Sequence, residues 1–280
     1  MTQAPLPSGA GQPDPLLLEL SRKNAELEEL TSRLEALSRR MSEELRLAAR
    51  VQRSLLPAPV SHPRLDLALE FLPFRELGGD YVDLISLGDD RLAFAIGDVM
   101  GKGVSAALLA ANLQACLRSS LQAGIVEPVP LVERVNRLFG EVSPKSLFAS
   151  LFFGVFDFAR GRLEYTNAGH DYPFKMCALG TTRELVEGGP VLGLLESARY
   201  ESGSVCFDAH DLFIFYSDGL TDRTDLGGQA FGSPRLIQSA SRHRASPSRI
   251  LLYALLGEVQ DWSAGRPPED DLTLAVARVR

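Results

Sequence analysis

The sequence contains no apolar run approaching the ~20 residues that span a bilayer, which excludes a helical membrane span. Its three cysteines, Cys116, Cys177 and Cys206, are odd in number and have no ligand-like spacing. They exclude a disulfide framework and a thiolate metal site, and read as free core thiols in a reducing compartment. Basic residues are not in excess: 29 Lys and Arg stand against 36 Asp and Glu, a net charge of −7. That balance argues against a nucleic-acid partner, because a phosphate backbone needs a basic surface. The N-terminus offers Pro, Gly and Gln where a secretion signal has a basic flank and an apolar segment. A cytoplasmic protein is expected. There is no G-x-S-x-G elbow and no Cys–His pairing that would mark a nucleophile. Of four histidines, His62, His210 and His243 fall in loop-like or exposed settings, leaving His170 in NAGHDYP as the one candidate for proton transfer.

What is present divides the chain into three stretches. Residues 1 to 14, rich in Pro, Gly and Ala, read as a disordered tail. From Leu16 to Leu56 there is no Gly or Pro, and Leu, Glu, Arg and Ala dominate, so residues 15–56 are expected to form one long helix. Leu20, Leu27, Leu34, Met41 and Ala48 recur at a spacing of seven, with Leu30 and Leu37 three residues after two of them. This narrow a/d seam predicts a parallel coiled coil, hence a homodimer through the N-terminal helix. Leu45, Ala49, Gln52 and Leu56 then follow a different phase, before Pro57 stops the helix. Residues 57–280 read as one catalytic-sized domain.

Within that domain Leu65, Leu67, Leu69 and Phe71 alternate with Asp66, Ala68 and Glu70, a half-buried strand. Residues 80–87 and 91–98 predict a hairpin around Gly88-Asp89-Asp90. Helices are expected at 103–124 and 128–141, strands at 147–158 and 162–167, and short strands near 172–178, 183–187 and 199–207. An apolar strand at 212–217, two helices at 233–243 and 247–260 and a strand at 272–279 complete the series. Strands in hairpins separated by pairs of helices do not alternate as a doubly wound sheet requires. The expected class is α+β: an α-β-β-α sandwich of two mostly antiparallel sheets.

Four aspartates stand at strand ends: Asp80 in ELGGDYVD, Asp98 in AIGDVMGKG, Asp218 in FYSDGLTD and Asp270 in PEDDLTLAV. A carboxylate ending a buried strand is costly unless a cation meets it. Their shared setting points to a hard cation, Mg²⁺ or Mn²⁺. In GGDYVD the alternation of side chains sends Asp80 and Asp83 to opposite faces. Asp80 is the favoured ligand, since Gly79 allows close approach, and Asp83 is read as solvent-facing or as a support behind the ligands. GDVMGKG is not a Walker A loop, being one residue short and having Gly103 in place of Ser or Thr. Gly101 and Gly103 let the chain turn after Asp98, and Lys102 is read as a solvated lysine that could meet an anionic substrate. Asp222 is read as a cap on the turn after Asp218. Spacing leaves the roles of the adjacent Asp270 and Asp271 open.

AARVQRSLLP, GGDYVD, GDVMGKGVSAALL, FASLFFGVFD, NAGHDYP, GGPVLGLL, YSDGLTD and DDLTLAV occur in this order. With them the chain resembles the SpoIIE/RsbU-type branch of the metal-dependent Ser/Thr phosphatases, the protein phosphatase 2C superfamily. The resemblance implies two Mn²⁺ or Mg²⁺ ions between the central sheets, held by Asp80, Asp98, the Val99 carbonyl, Asp218 and Asp270. Asp271 stands where the wider superfamily often has Asn, and Met100 where eukaryotic members often have His. The chemistry implied is attack of a metal-activated water on phosphoserine or phosphothreonine, with STAS-type anti-sigma-factor antagonists as the substrate class. A catalytically inactive dimeric scaffold and a metal-dependent small-molecule phosphoesterase are the alternatives.

Overall fold

A computed structural model describes residues 15–57 and 62–280; the tail expected over 1–14 lies outside the described residues. Contacts divide the chain into two units, Met1–Ala48 and Ala49–Arg280. Helix α1, Pro15–Leu55, crosses that division and ends two residues before Pro57, as a chain free of Gly and Pro followed by a breaker should. In the first unit its seam residues, Leu20, Leu27, Leu30, Leu34, Leu37 and Met41, are all exposed.

Among its described residues the second unit contains eleven strands: β1 Leu65–Leu72, β2 Asp80–Ser86, β3 Arg91–Val99, β4 Ala149–Asp157, β5 Arg162–Ala168, β6 Phe174–Met176, β7 Thr182–Glu184, β8 Gly188–Gly189, β9 Gly203–Cys206, β10 Leu212–Tyr216 and β11 Leu272–Val279. Its helices are α2 Val104–Gln122, α3 Pro128–Val142, α4 Asp218–Thr221, α5 Gly232–Arg242 and α6 Ser248–Trp262. One sheet runs β1-β11-β10-β6-β7; the other runs β2-β3-β4-β5-β8, with β9 also paired to β5. All pairings are antiparallel except β5 with β8.

Period-two alternation builds the layers. In β3, Leu92, Phe94 and Ile96 point between the sheets, while Ala93 and Ala95 pack beneath α2 and α3. In β10, Phe213 and Phe215 enter the same inter-sheet layer, and Leu212, Ile214 and Tyr216 face α5 and α6. Small alanines under helices and phenylalanines between sheets fill gaps of different depth at native density. The inter-sheet layer is strongly aromatic: Phe94 and Phe215 ring centroids lie 4.0 Å apart, and Phe156 meets Phe213 edge-on at 5.0 Å. The α-β-β-α sandwich expected from the sequence is the fold.

Several local readings are corrected. Asp83 is not solvent-facing: it is fully buried on the helix side of β2, where α2 covers it. Arg118 of α2 grips it with a fork, Nε to Oδ2 at 2.7 Å and Nη2 to Oδ1 at 2.9 Å, and Tyr81 Oη and the Leu84 amide also donate to it. His62 is buried and stacked on Phe158 at 4.5 Å, with Nδ1 accepting from the Arg64 amide. Only Cys116 is a core thiol. Cys177 sits in the β6–β7 turn, and Cys206 ends β9 on its exposed face. The strands expected near 172–178, 183–187 and 199–207 shrink to three, three and four residues.

Arg118→Ala strands the buried Asp83 carboxylate with only neutral donors. It is expected to lower unfolding free energy by about 2–3 kcal/mol, read as a lower urea midpoint at unchanged slope. A loss below about 0.5 kcal/mol, the range of an ordinary surface substitution, would contradict the account.

Candidate metal centre

The sandwich interior becomes polar at one end. Asp80 opens β2 and pairs in register with Asp98 near the end of β3. Both share the parity of the residues that point between the sheets. Across the gap, β10 runs into Ser217 and α4, and β11 follows Asp270 and Asp271. Asp80 Oδ2 accepts from Ser217 Oγ at 2.7 Å and from Thr273 Oγ1 at 2.6 Å, which ties the two sheets together at the site. Ser217 Oγ in turn accepts from the Thr273 amide at 2.9 Å.

Asp271 is buried and takes the amides of Phe74 at 2.7 Å and Gly79 at 2.6 Å, so it fastens the segment before β2. Its neighbour Asp270 is half-exposed and ion-paired to Lys102 Nζ at 2.8 Å; the same ammonium donates to the Glu269 carbonyl at 2.6 Å. Lys102 is therefore not a freely solvated lysine. Gly101 and Gly103 around it adopt φ of 107° and 75°, the left-handed turn expected after Asp98. Gly79 is required for another reason: a Cβ there would lie 2.8 Å from the Val99 carbonyl and 3.3 Å from Asp98 Oδ1. Asp222 closes α4 through its amide, which donates to the Asp218 carbonyl at 2.7 Å, and its side chain is exposed.

His170 is buried, with Nδ1 2.9 Å from Ser150 Oγ and Nε2 3.1 Å from the Tyr216 carbonyl. A carbonyl only accepts, so Nε2 carries the proton and Nδ1 accepts from Ser150. Ser150 Oγ then accepts from the Asp98 amide at 3.2 Å. Burial lowers the imidazole pKa to about 4, which keeps it neutral. The geometry makes His170 a strut between the sheets that steadies the backbone at Asp98.

The carboxylates disturb one another. Burial raises Asp80 well above the usual range, and the Asp98 charge adds to this against the two hydroxyl hydrogen bonds. Asp98 is pushed up to about 7 by burial and then by Asp218, Asp270 and Asp271. Asp218 is raised by burial and by Asp270 and Asp222; the Gly219 amide and Lys102 oppose the shift. Asp171, passed over in the sequence beside the more conspicuous His170, rises to about 6 through burial, Asp218 and Asp222.

Among the described residues, no three His, Cys, Asp or Glu side chains are drawn together as a chelating cluster. The donor chemistry nonetheless fits a hard divalent cation. The groups are oxygen donors only, their mutual repulsion is what a cation relieves, and the glycine at 79 keeps the Val99 carbonyl and Asp98 clear of a side chain. Asp80, Asp98, Asp218, Asp270 and the Val99 carbonyl are the groups that could hold it.

The sequence of residues 88–280 matches the family of stage II sporulation protein E (SpoIIE). The chain belongs to the SpoIIE family. It is 29% identical to protein IcfG of Synechocystis over 82% of this chain and 40% of that protein. It is 27% identical to phosphoserine phosphatase RsbU of Bacillus subtilis over 88% of this chain and 72% of that protein. The solved RsbU and RsbW domains of Rv1364c from Mycobacterium tuberculosis superpose with a TM-score of 0.69 at 30% identity, covering 80% of this chain and 62% of that one. The chain thus spans well under half of the first of these relatives.

Deprotonation of Asp98 through about pH 7 takes stability from the metal-free fold as pH rises, because its folded pKa lies above the unfolded value of 3.8. A cation competes with that proton. Saturating Mn²⁺ is expected to raise the melting temperature by roughly 5–10 °C at about pH 8 and by clearly less at about pH 6. The difference between the two pH values should shrink in Asp98→Asn. A Mn²⁺ gain independent of pH would contradict the assignment.

Proposed function

We propose that this protein is a metal-dependent serine/threonine protein phosphatase acting on phosphoserine or phosphothreonine, with a STAS-type anti-sigma-factor antagonist as the substrate class. The observation that carries the proposal is the meeting, at one end of the sandwich, of carboxylates from both sheets that raise one another's pKa. Membership of the SpoIIE family and likeness to a protein named phosphoserine phosphatase support the same reading.

In this proposal two Mn²⁺ or Mg²⁺ ions are held by Asp80, Asp98, the Val99 carbonyl, Asp218 and Asp270. Bound there, the ions supply a water of lowered pKa and neutralise charge on the phosphoryl oxygens. The protein's own contribution is positional. Ser217 and Thr273 fix Asp80, leaving its other oxygen free. Asp271 holds the Gly79 segment, and neutral His170 holds the strand at Asp98 through Ser150. Lys102 offers a cation to the incoming phosphoryl group.

Residues 57–280 form the catalytic domain in this reading, and 15–56 the helix through which two copies pair. The exposed leucine seam of α1 supports a homodimer, since such a face buries nothing in one chain. Within the second unit the end of α1 reaches the site: Gln52 Nε2 donates to the Gly78 carbonyl at 2.6 Å, and Oε1 accepts from the Gly78 amide at 3.2 Å. Pairing of the helix is proposed to act on Asp80 through this clamp. No helix among the described residues is long and apolar enough to cross a membrane, and the proposed setting is the cytoplasm.

Hydrolysis of an aryl phosphate is expected to require Mn²⁺ and to fall at least about 100-fold in Asp218→Asn. Absence of turnover together with absence of calorimetric Mn²⁺ binding would replace the phosphatase with a partner-binding scaffold. Turnover of small phosphoesters that phosphopeptides do not compete for would instead favour a small-molecule phosphoesterase.

Removing residues 1–44 is expected to abolish self-association and to change Mn²⁺-dependent turnover several-fold. Sedimentation alongside the aryl phosphate assay tests both. A truncated protein with unchanged mass in solution and unchanged turnover would sink the coupling.

A further inference from the structure

Beside Lys102 and Asp270 lies a cavity of about 220 Å³, also lined by Asp222, Arg223, Arg266 and Glu269. At roughly 30 Å³ per water it has room for about seven waters, the scale of one amino-acid side chain. Its cations are unequally engaged. Lys102 is paired with Asp270. Arg266 is spent on the loop after α4, with Nη2 donating to Thr224 Oγ1 at 2.8 Å and to the Asp225 carbonyl at 2.5 Å.

Arg223 is the most deeply buried of the three, 8% exposed. Like Arg266 it hydrogen-bonds through Nη2 alone, to Ser263 Oγ at 2.7 Å and the Arg266 carbonyl at 2.5 Å. Among the described residues no carboxylate lies within ion-pairing distance of it. Glu269 attracts it from beyond ion-pairing distance, and Arg266 repels it. A guanidinium taken this far out of water without an anionic partner is costly, and its unused donors suit the planar fork of a carboxylate.

We propose that Arg223 is the anchor of a substrate subsite that receives an acidic side chain, Asp or Glu, lying close in sequence to the phosphorylated residue. The proposal rests on the phosphoprotein hydrolysis inferred above. The cavity borders Asp270, so a peptide with its phosphate at the carboxylate cluster has a neighbouring side chain within reach of Arg223. A low-dielectric pocket strengthens the pair that forms there. Asp222 and Glu269 on the same rim disfavour a second negative group, which restricts the subsite to one acid. Arg223 would thereby select among phosphoproteins without touching the reacting phosphate.

The test uses the full chain with Mn²⁺ and phosphoserine peptides carrying a single Glu, placed in turn at each of the three positions on either side, against matched Gln peptides. For wild type, one position is expected to give a Glu-over-Gln ratio in kcat/KM of about tenfold or more. In Arg223→Gln that ratio should fall to about one, and in Arg223→Lys to an intermediate value. Melting temperatures identify a variant that fails to fold, in which case the lysine variant decides. A wild-type ratio near one at every position, or a ratio unchanged in the variants, overturns the subsite. If no phosphoester is turned over, the phosphatase reading fails separately. Fluorescence anisotropy on the same peptides then judges the subsite by the same ratios.

Discussion

Mutual repulsion among carboxylates confined between two sheets is the constraint on which the rest of this molecule depends. Asp80 and Asp98 face each other in register on one sheet, and Asp218, Asp270 and Asp271 stand at the mouth of the other. Left to themselves, such charges would push the layers apart. The fold answers with a stiff aromatic interior and with specific local donors. Phenylalanines interlock down the middle of the sandwich and fill the space between the sheets. Two hydroxyls, two amides and one ammonium then absorb part of the charge. What they leave uncompensated appears as the raised proton affinity of Asp80, Asp98 and Asp218.

The same logic separates the two acidic residues of GGDYVD. Asp80 faces the inter-sheet layer and meets other carboxylates; Asp83, three residues on, faces a helix and meets Arg118. One strand thus carries a carboxylate set among other carboxylates and another held in a guanidinium fork. His170 illustrates a parallel division. In the sequence it is the one histidine left as a candidate for proton transfer; it is buried and neutral, hydrogen-bonded to Ser150 and to the Tyr216 carbonyl.

Much of this was legible in the residues, for reasons that differ by element. The absence of Gly and Pro marked the long helix, alternation marked β1, and the Gly88-Asp89-Asp90 turn marked the β2–β3 hairpin, because period and breakers are local properties. The aspartates stood out because a charge against an apolar run is anomalous in any context. Ser217 and Thr273 gave no such signal: in a strand they read as ordinary small or β-branched residues, and only their shared contact with Asp80 reveals their role. The Asp83–Arg118 fork, across 35 positions, and the cover over His62 depend on tertiary packing that no window contains. The pair of glycines forming β8 is too short for any periodicity to register.

The place of β11 in its sheet has a consequence for how the protein is made. It lies in the interior of the sheet, between β1 and β10, although it is synthesised after every other described strand. Thr273 meets Asp80 across 193 positions of chain. Until that strand leaves the ribosome, β1 has no neighbour in its sheet, Asp80 lacks one of its two hydroxyl donors, and Asp270 and Asp271 are missing altogether. Contacts so distant in sequence are slow to form. The carboxylate cluster is therefore assembled only when β11 has paired between β1 and β10, so the completeness of the site is tied to the contact of longest sequence separation among these strands.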